Sequence, residues 1–274
     1  MVHLRSIRLP DTDTQPERFP FTVPVVRSFT EMQFTAPITF FVGENGSGKS
    51  TLLEAIAVGA NLPTIGSQDT HNDITLDGIR QLSNRFKWVW NKSRVRTGFF
   101  MRSEDFFGFA KRISKLMGDM KNDYESDEGH EGQSEFARRL SKQAYANEMR
   151  AMRDLYGAGL DAQSHGESYF KLFRARFRPG GLYLMDEPEA PLSPNRQLML
   201  IATLKEMIDQ NAQFIIATHS PILLAYPNAT IYNFTGGRIE QTDYDVLEHV
   251  QITRDFLNNP SAYLRHLLHD SQPD

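Results

Sequence analysis

The sequence of 274 residues contains no cysteine, two tryptophans and no long apolar run. Without cysteine the chain can form neither disulfides nor thiolate metal sites, and this fits a reducing compartment. No apolar run approaches the roughly 18–20 residues of a membrane-spanning helix. The first 15 residues also lack the apolar core of a signal peptide. We therefore expect a soluble, cytoplasmic protein without membrane insertion.

The composition shows no strong bias of charge or hydrophobicity. A net charge of −4 gives no overall attraction to nucleic acid or to acidic membranes. The hydrophobic fraction of 40% and the charged fraction of 23% are ordinary for a globular protein. The length is sufficient for one large α/β domain with a buried core, or for two small domains.

Glycine is concentrated in the segment FVGENGSGKST at residues 41–51, between the apolar run ITFF and the helical pattern LLEAIAVGA. Its spacing, G-x-x-x-x-G-K-S, is that of a phosphate-binding loop, and the setting between a strand and a helix argues against an accidental match. The glycines let successive N–H groups point into one concavity, at the positive end of the following helix. The predicted nucleotide-binding residues are Gly43, Glu44, Asn45, Gly46, Ser47, Gly48, Lys49, Ser50 and Thr51.

Two acidic residues follow a second apolar run, in GLYLMDEPEAP at residues 181–191. In a phosphate-loop enzyme, Lys49 would reach the β- and γ-phosphates, the Ser50 hydroxyl would bind Mg²⁺, and Asp186 would hold the ion through water. Glu187 would then orient or deprotonate the attacking water. The alternative is a strand end with two solvated acids before a proline.

Two further segments are candidates for the same site. His219 ends the buried-strand pattern QFIIATH, at the strand edge where ligands bind in an open α/β sheet. There its imidazole would hydrogen-bond the γ-phosphate, although a lone histidine is usually structural. Ser164 and Gly166 stand at the start of a predicted helix, with Glu167 as the partner in a capping box. A capped helix start with a glycine is also an anion site, so both interpretations stay open.

The strand and helix patterns predict one α/β domain over 1–274 with an interrupted core. Strands are predicted at HLRSIRL, VVRSF, ITFFV, GLYLM and QFIIAT, helices at 51–60 and 195–209, and a hairpin at TIYNFTGGRIEQT. Residues 1–67 and 160–274 form the predicted nucleotide-binding core. Residues 68–159 form a predicted inserted helical lobe, with an acidic, flexible connector at 118–133.

These motifs occur in the order and at about the spacing of the ABC-type ATPase head, which the chain resembles over nearly its whole length. The form DEPEAPLSP resembles the branch that contains RecF, SMC-like and OLD-family heads, and especially small stand-alone bacterial predicted ATPases. The resemblance implies a P-loop NTPase fold of the ABC type with a mixed sheet, ATP and Mg²⁺ as ligands, and ATP hydrolysis. It also implies a head-to-tail homodimer that sandwiches two ATP molecules, in which Ser164 and Gly166 of one subunit complete the site of the other.

The sequence departs from that family in several places. The signature LSGGQ is QSHGE here, and Ser193 replaces the aspartate that usually ends the D-loop. The glutamine that follows the strand entering the helical lobe is not evident. We propose that one of Arg102, Ser103 and Glu104 takes its role. No aromatic ring is singled out for stacking on adenine, although Phe19, Phe21 and Phe29 lie in a suitable region.

The stretch at 85–102 combines basic residues with both tryptophans, Trp88 and Trp90. Basic side chains interleaved with aromatic rings suit a phosphate backbone and stacked bases. A partner protein or plain packing of the rings are the alternatives. We expect an ATPase that cycles between monomer and ATP-sandwich dimer and drives a process on nucleic acid or on a partner protein, as in repair or phage defence. A slow nucleotide-dependent switch is the alternative, and the ATPase subunit of a membrane transporter is a weaker one.

Overall fold

The computed structural model describes residues 1–10, 16–65, 77–92, 94–102 and 176–269, together with residues 115, 119 and 173. The strands in these ranges are β1 (Leu4–Arg8), β2 (Glu31–Gln33), β3 (Ile38–Gly43), β4 (Lys87–Trp90), β5 (Gly98–Met101), β6 (Leu182–Asp186), β7 (Gln213–Ala217), β8 (Thr230–Thr235) and β9 (Arg238–Thr242). The helices are α1 (Pro24–Arg27), α2 (Lys49–Ala60), α3 (Asp77–Arg85), α4 (Pro194–Asp209), α5 (Pro221–Leu224), α6 (Glu248–Asn258) and α7 (Pro260–His269).

The larger sheet has the strand order β5-β6-β7-β3-β8-β9. All its neighbouring strands are parallel except the β8–β9 hairpin, so the sheet is mixed as the sequence predicts. The register pairs Ala217 with both Asp186 and Phe41. The carboxyl ends of β3, β7 and β6 therefore meet at one edge of the sheet, where ligands bind in open α/β sheets.

The central strands are buried on both faces, which explains their almost continuous apolar sequences. Every residue of β6 and β7 is buried. Alternate side chains of these strands enter two apolar clusters on opposite faces of the sheet: α4 packs in the cluster that contains Phe40 and Tyr183, and α2 packs in the one that contains Phe41 and Leu184. The sheet is thus the middle layer between two cores.

A smaller antiparallel sheet, in the order β2-β1-β4, covers the α2 side of the larger one. The buried side chain of Gln213 joins the two sheets. Its Oε1 accepts hydrogen bonds from the backbone N–H groups of His3 and Leu4 at 2.7 and 2.8 Å, and its Nε2 donates to the Leu4 carbonyl at 3.0 Å. One residue at the start of β7 therefore fixes β1 against the central sheet.

One predicted strand needs correction. The segment VVRSF does not form a strand, because Pro24 starts the short helix α1 there, and proline suits the first turn of a helix. Strands β4 and β5 lie in the range 68–159 that is predicted as the lobe, and there β4 pairs with β1 and β5 pairs with β6. Apart from residues 115 and 119, the range 103–159 lies outside the described residues, so the helical lobe stays a prediction.

Candidate nucleotide site

The phosphate loop connects the end of β3 to the start of α2, as the glycine pattern predicts. Gly43 has φ +139°, and a Cβ there would lie 2.5 Å from the carbonyl oxygen of Phe234 on β8. Gly48 has φ +99°, and a Cβ there would lie 2.4 Å from a methyl group of Val25 on α1. Both positions therefore require glycine for conformation and for space. The tip of the loop, at residues 44–46, is exposed.

The loop presents a positive environment to its concave side. Helix α2 begins at Lys49 and has no acidic residue in its first turn. No carboxylate of that turn therefore neutralises the positive end of the helix dipole. The Lys49 ammonium group is folded over the loop and donates hydrogen bonds to the carbonyl oxygens of Gly43 and Glu44 at 2.7 and 2.9 Å. Burial lowers the pKa of Lys49, while the nearby charges of Asp186 and Glu187 oppose that shift. The arrangement places a cation at the start of a helix, and this combination is suited to phosphate.

Asp186, at the end of β6, lies beside the start of α2. The Ser50 hydroxyl donates a hydrogen bond to its carboxylate. The pKa of Asp186 is raised to about 6, chiefly by burial and in part by the charges of Glu187 and Glu189, while the Ser50 hydrogen bond and the Lys49 charge oppose the shift. A hydroxyl and a carboxylate are hard oxygen donors of the kind that Mg²⁺ prefers, with phosphate oxygens and water completing its shell. The two residues fit the predicted Mg²⁺ position.

Glu187 follows in a left-handed backbone conformation with φ +47°, which is uncommon for a residue with a side chain. Its N–H donates to the carbonyl oxygen of Ala217 on β7 at 2.9 Å, which fixes the turn. One of its carboxylate oxygens lies 3.8 Å from Nε2 of His219, and both side chains are about 40% exposed. The turn therefore holds the Glu187 carboxylate at the edge of the site, open to solvent and close to the predicted switch histidine.

The end of β7, like the end of β6, is held by a backbone hydrogen bond to a neighbouring strand. The N–H of Thr218 donates to the carbonyl oxygen of Phe41 on β3 at 3.1 Å. This bond sets the start of the loop that carries His219. Lys49, Ser50, Asp186, Glu187 and His219, five of the predicted site residues, are thus brought together at the ends of β3, β6 and β7.

A cavity of about 630 Å³ opens beside the phosphate loop, and part of its wall was not predicted from the sequence. Beyond loop residues and His219, it is lined by the β8–β9 hairpin and by Glu248, His249 and Ile252 at the start of α6. Burial, and to a lesser degree the nearby His219, lowers the pKa of His249. These three residues lie about 200 positions after the loop, and no motif surrounds them, so only the tertiary structure reveals them.

Other predicted site residues are not brought to this site. Ser164 and Gly166 lie outside the described residues, as do Ser103 and Glu104. Arg102 is described, and its guanidinium forms an ion pair with Glu54 on α2 at 3.0 Å. Among the aromatic residues considered for adenine stacking, Phe21 and Phe29 are buried in the core, and Phe19 is 54% exposed. Of these three, only the exposed ring of Phe19 is available to a ligand.

The basic and aromatic stretch at 85–102 packs against the end of α2. Trp88 lies against Gly59, and Trp90 stacks on Trp88 with ring centroids 6.2 Å apart. Arg94 donates to the carbonyl oxygens of the last two residues of α2 at 2.6 and 3.2 Å. The packing interpretation therefore accounts for both tryptophans and for one arginine.

Two more of the basic side chains in this stretch have partners within the chain. Arg85 lies 4.8 Å above the ring of Phe21, and Arg102 forms its ion pair with Glu54. Besides Arg94, whose guanidinium is bonded to the end of α2, the exposed basic residues are Lys87, Lys92 and Arg96. A nucleic-acid surface here would depend on these three cations.

Two protein-family models match parts of the chain. The model described as "AAA domain" matches residues 25–78, which contain the phosphate loop. The model described as "AAA ATPase domain" matches residues 168–224, which contain Asp186, Glu187 and His219. A search of curated proteins finds no match.

Several solved structures are similar to the chain at low identity. A nucleotide-free ATP-binding cassette from an ABC transporter is 16% identical, with 96% of this chain and 99% of that chain covered and a TM-score of 0.48. The SMC head domain from Thermotoga maritima is 16% identical, with 88% and 99% covered and a TM-score of 0.42. The Smc head domain with an extended coiled coil from Pyrococcus furiosus is 12% identical, with 94% and 100% covered and a TM-score of 0.43.

The family matches and the order of the motifs on one mixed sheet confirm the predicted resemblance to an ABC-type ATPase head. The predicted fold class is confirmed with it, and the two matched segments are similar to ATPase domains. Among the described residues, no helix has the length and apolar character needed to cross a membrane.

Proposed function

We propose that the chain binds Mg·ATP on the phosphate loop and hydrolyses it to ADP and phosphate. One juxtaposition carries the proposal: a phosphate loop with its lysine, a hydroxyl–carboxylate pair and a second carboxylate stand at the ends of three neighbouring strands. The matches to ATPase family models support it independently. In this proposal ATP is the substrate, and residues of this chain bind it and activate it for hydrolysis.

The residues at the loop bind and orient the phosphates. The N–H groups at residues 43–51 surround the β-phosphate, and Lys49 exchanges its two loop carbonyls for phosphate oxygens. Ser50 would hold Mg²⁺ through its hydroxyl, and Asp186 would hold it through water. When bound, Mg²⁺ neutralises charge on the β- and γ-phosphates.

Hydrolysis then depends on Glu187 and His219. The Glu187 carboxylate accepts the proton of a water as that water attacks the γ-phosphorus, and the bond from phosphorus to the bridging oxygen breaks. His219 hydrogen-bonds the γ-phosphate and stabilises the charge on its oxygens. The 3.8 Å gap between the two side chains keeps both within reach of one reacting group.

The proposed catalytic cycle includes a homodimer. In the ABC-type arrangement each ATP lies between the phosphate loop of one subunit and the signature segment of the other. Ser164 would offer its hydroxyl, and the helix start at Gly166 its N–H groups, to the γ-phosphate bound by a second copy. ATP binding would close the dimer and hydrolysis would open it.

The cycle would drive a process on nucleic acid or on a partner protein, of the kind used in repair or phage defence. Besides Arg94, which is bonded to the end of α2, the exposed cations described in 85–102 are Lys87, Lys92 and Arg96, and these three fit a phosphate backbone. A slow nucleotide-dependent switch is the alternative, because an ATP-bound dimer with little turnover would use the same site. An ATPase subunit of a membrane transporter is the weaker alternative, because it needs a separate membrane subunit.

The experiment that tests this function measures phosphate release from Mg·ATP with and without DNA and RNA, while light scattering follows the molar mass. The proposal predicts turnover that requires Lys49, rises when the binding partner is added, and is accompanied by an ATP-dependent dimer. A long-lived ATP dimer with negligible turnover would establish the switch instead. A monomer that neither binds nor hydrolyses ATP would contradict the proposal.

A further inference from the structure

Glu189 lies two residues after the proposed catalytic Glu187, and its side chain reaches the neighbouring loop. Its Oε1 accepts a hydrogen bond from the Thr218 hydroxyl at 2.7 Å and another from the backbone N–H of His219 at 2.8 Å. The side chain therefore joins the loop after β6 to the loop after β7. It holds the backbone of the residue whose imidazole faces Glu187.

The same loop is anchored on its other side to α4. The Thr218 hydroxyl accepts from the N–H of Ser220 at 3.0 Å, and the Ser220 hydroxyl accepts from the N–H of Leu223 at 3.1 Å. The Ser220 hydroxyl also donates to the side-chain oxygen of Gln197 at 2.5 Å, while the Gln197 amide donates to the carbonyl oxygen of Leu192 at 3.1 Å. These bonds fix the loop on the side that contacts α4. The two hydrogen bonds to Glu189 therefore determine its position on the other side, at Thr218 and the His219 backbone.

The bonds to Glu189 lie in a largely buried setting. Thr218 is fully buried, and a charged acceptor forms shorter and stronger hydrogen bonds than a neutral one. If the acceptor were withdrawn, a buried hydroxyl and a backbone N–H would both be left without this partner, which is costly. The loop would then shift to regain hydrogen bonds, and the His219 imidazole would shift with it.

We propose that Glu189 is a positioning residue whose carboxylate holds the His219 backbone so that the imidazole stays beside Glu187 and the γ-phosphate. The proposal rests on the proposed function, because it takes His219 as the group that contacts the γ-phosphate. Glu189 itself contacts no reacting atom in this scheme. It contributes to catalysis only by the position of its carboxylate oxygen, which accepts the two hydrogen bonds that hold the His219 loop.

A matched pair of variants separates hydrogen-bond reach from charge. Glu189→Gln keeps the length and an acceptor oxygen but removes the charge. Glu189→Asp keeps the charge but is one methylene too short to reach both donors. Glu206→Ala, which removes an exposed carboxylate on α4, is the control. Melting temperatures establish that each variant is folded before its kinetics are compared.

The kinetic test compares kcat and KM for Mg·ATP. Glu189→Asp should lower kcat by roughly 10- to 100-fold, since displacement of a catalytic group by about 1 Å has effects of that size. KM should stay within about threefold, and Glu189→Gln should keep a kcat much closer to that of wild type. The double variant Glu189→Asp/His219→Gln should be no slower than His219→Gln alone, because residues that act through one another are not additive.

A second readout does not depend on turnover. In nucleotide-free protein with ¹⁵N-labelled histidine, the His219 ring resonances, identified by their absence in His219→Gln, should move in Glu189→Asp and stay in place in Glu206→Ala. Wild-type turnover that does not need Lys49 would refute the proposed function, but it would not affect the test by ring resonances. Unchanged kcat and unchanged ring resonances in Glu189→Asp would overturn the positioning proposal. A decrease of kcat in Glu189→Gln equal to that in Glu189→Asp would overturn it as well.

Discussion

Replacement of Asp186 by asparagine should stabilise the metal-free, nucleotide-free protein at neutral pH while it abolishes Mg²⁺-dependent activity. The Asp186 carboxyl group is buried at the end of β6, with the charges of Glu187 and Glu189 nearby. Its ionised form is therefore held in an unfavourable place until a cation arrives. Asparagine has nearly the same shape and carries no charge, so it removes that cost.

The size of the effect follows from the pKa of Asp186, which folding raises from the ordinary value of 3.8 to about 6. A carboxyl with a raised pKa keeps its proton more firmly in the folded state, so its stabilising contribution falls as the pH rises from about 4 to about 6. The difference between 3.8 and 6 corresponds to about 3 kcal/mol of unfolding free energy above pH 6. Asp186→Asn should therefore be more stable than wild type by up to about 3 kcal/mol at pH 8, and by less than about 1 kcal/mol at pH 4.

Urea unfolding at pH 4, 6 and 8, in EDTA and without nucleotide, measures this difference. Asp255→Asn, which removes an exposed carboxylate on α6, is the control and should change stability by less than about 0.5 kcal/mol at every pH. The reasoning would be refuted by a variant that is less stable than wild type at pH 8. It would be refuted equally by a gain in stability that does not depend on pH.

Three further predictions concern nucleotide binding, the shared site and the partner surface. Lys49→Ala should abolish measurable Mg·ATP binding in calorimetry while the protein stays folded, and unchanged affinity would exclude the phosphate loop as the binding site. Ser164→Arg should leave ATP binding by the monomer nearly normal, but it should block hydrolysis and the dimer formation that light scattering detects. The shared site would be contradicted by a wild-type enzyme that stays monomeric and whose rate per subunit does not depend on concentration. Replacement of Lys87, Lys92 and Arg96 by glutamine should reduce the salt dependence of any nucleic-acid binding by roughly one unit of slope for each phosphate that is no longer neutralised. An unchanged slope would place the nucleic acid elsewhere, and no binding by wild type at low salt with ATP present would support packing alone for this stretch.

The parts of the fold that could be predicted are those encoded in short, local patterns. Three such patterns each predict the structure of their own segment. They are the glycines of the phosphate loop, the apolar runs of β6 and β7, and the TGG turn of the β8–β9 hairpin. The position of the site followed as well, because residues at the ends of parallel strands meet at one edge of a sheet. In the structure Asp186 and His219 lie at the same sheet edge as Lys49, and their roles stay predictions.

What could not be predicted depends on contacts between distant parts of the chain. The two valines before Arg27 favour a strand locally, but Pro24 and packing against the phosphate loop produce a helix. β4 is only four residues long, and it is a strand because it pairs with β1, which lies far earlier in the chain. The bond from Gln213 to β1, the wall formed by His249 and the link from Glu189 to the His219 loop are likewise tertiary, and no local pattern encodes them.

The most direct test of the central claim is the rate of phosphate release from Mg·ATP by wild type and by Glu187→Gln, measured at nucleotide concentrations that saturate both proteins. The account predicts that the variant binds ATP with the affinity of wild type and releases phosphate about 10²- to 10⁴-fold more slowly, which is the usual contribution of a positioned acid–base group. A variant that keeps nearly the wild-type rate at full occupancy would contradict the assignment of Glu187 and move the catalytic base elsewhere, with His219 as the first candidate.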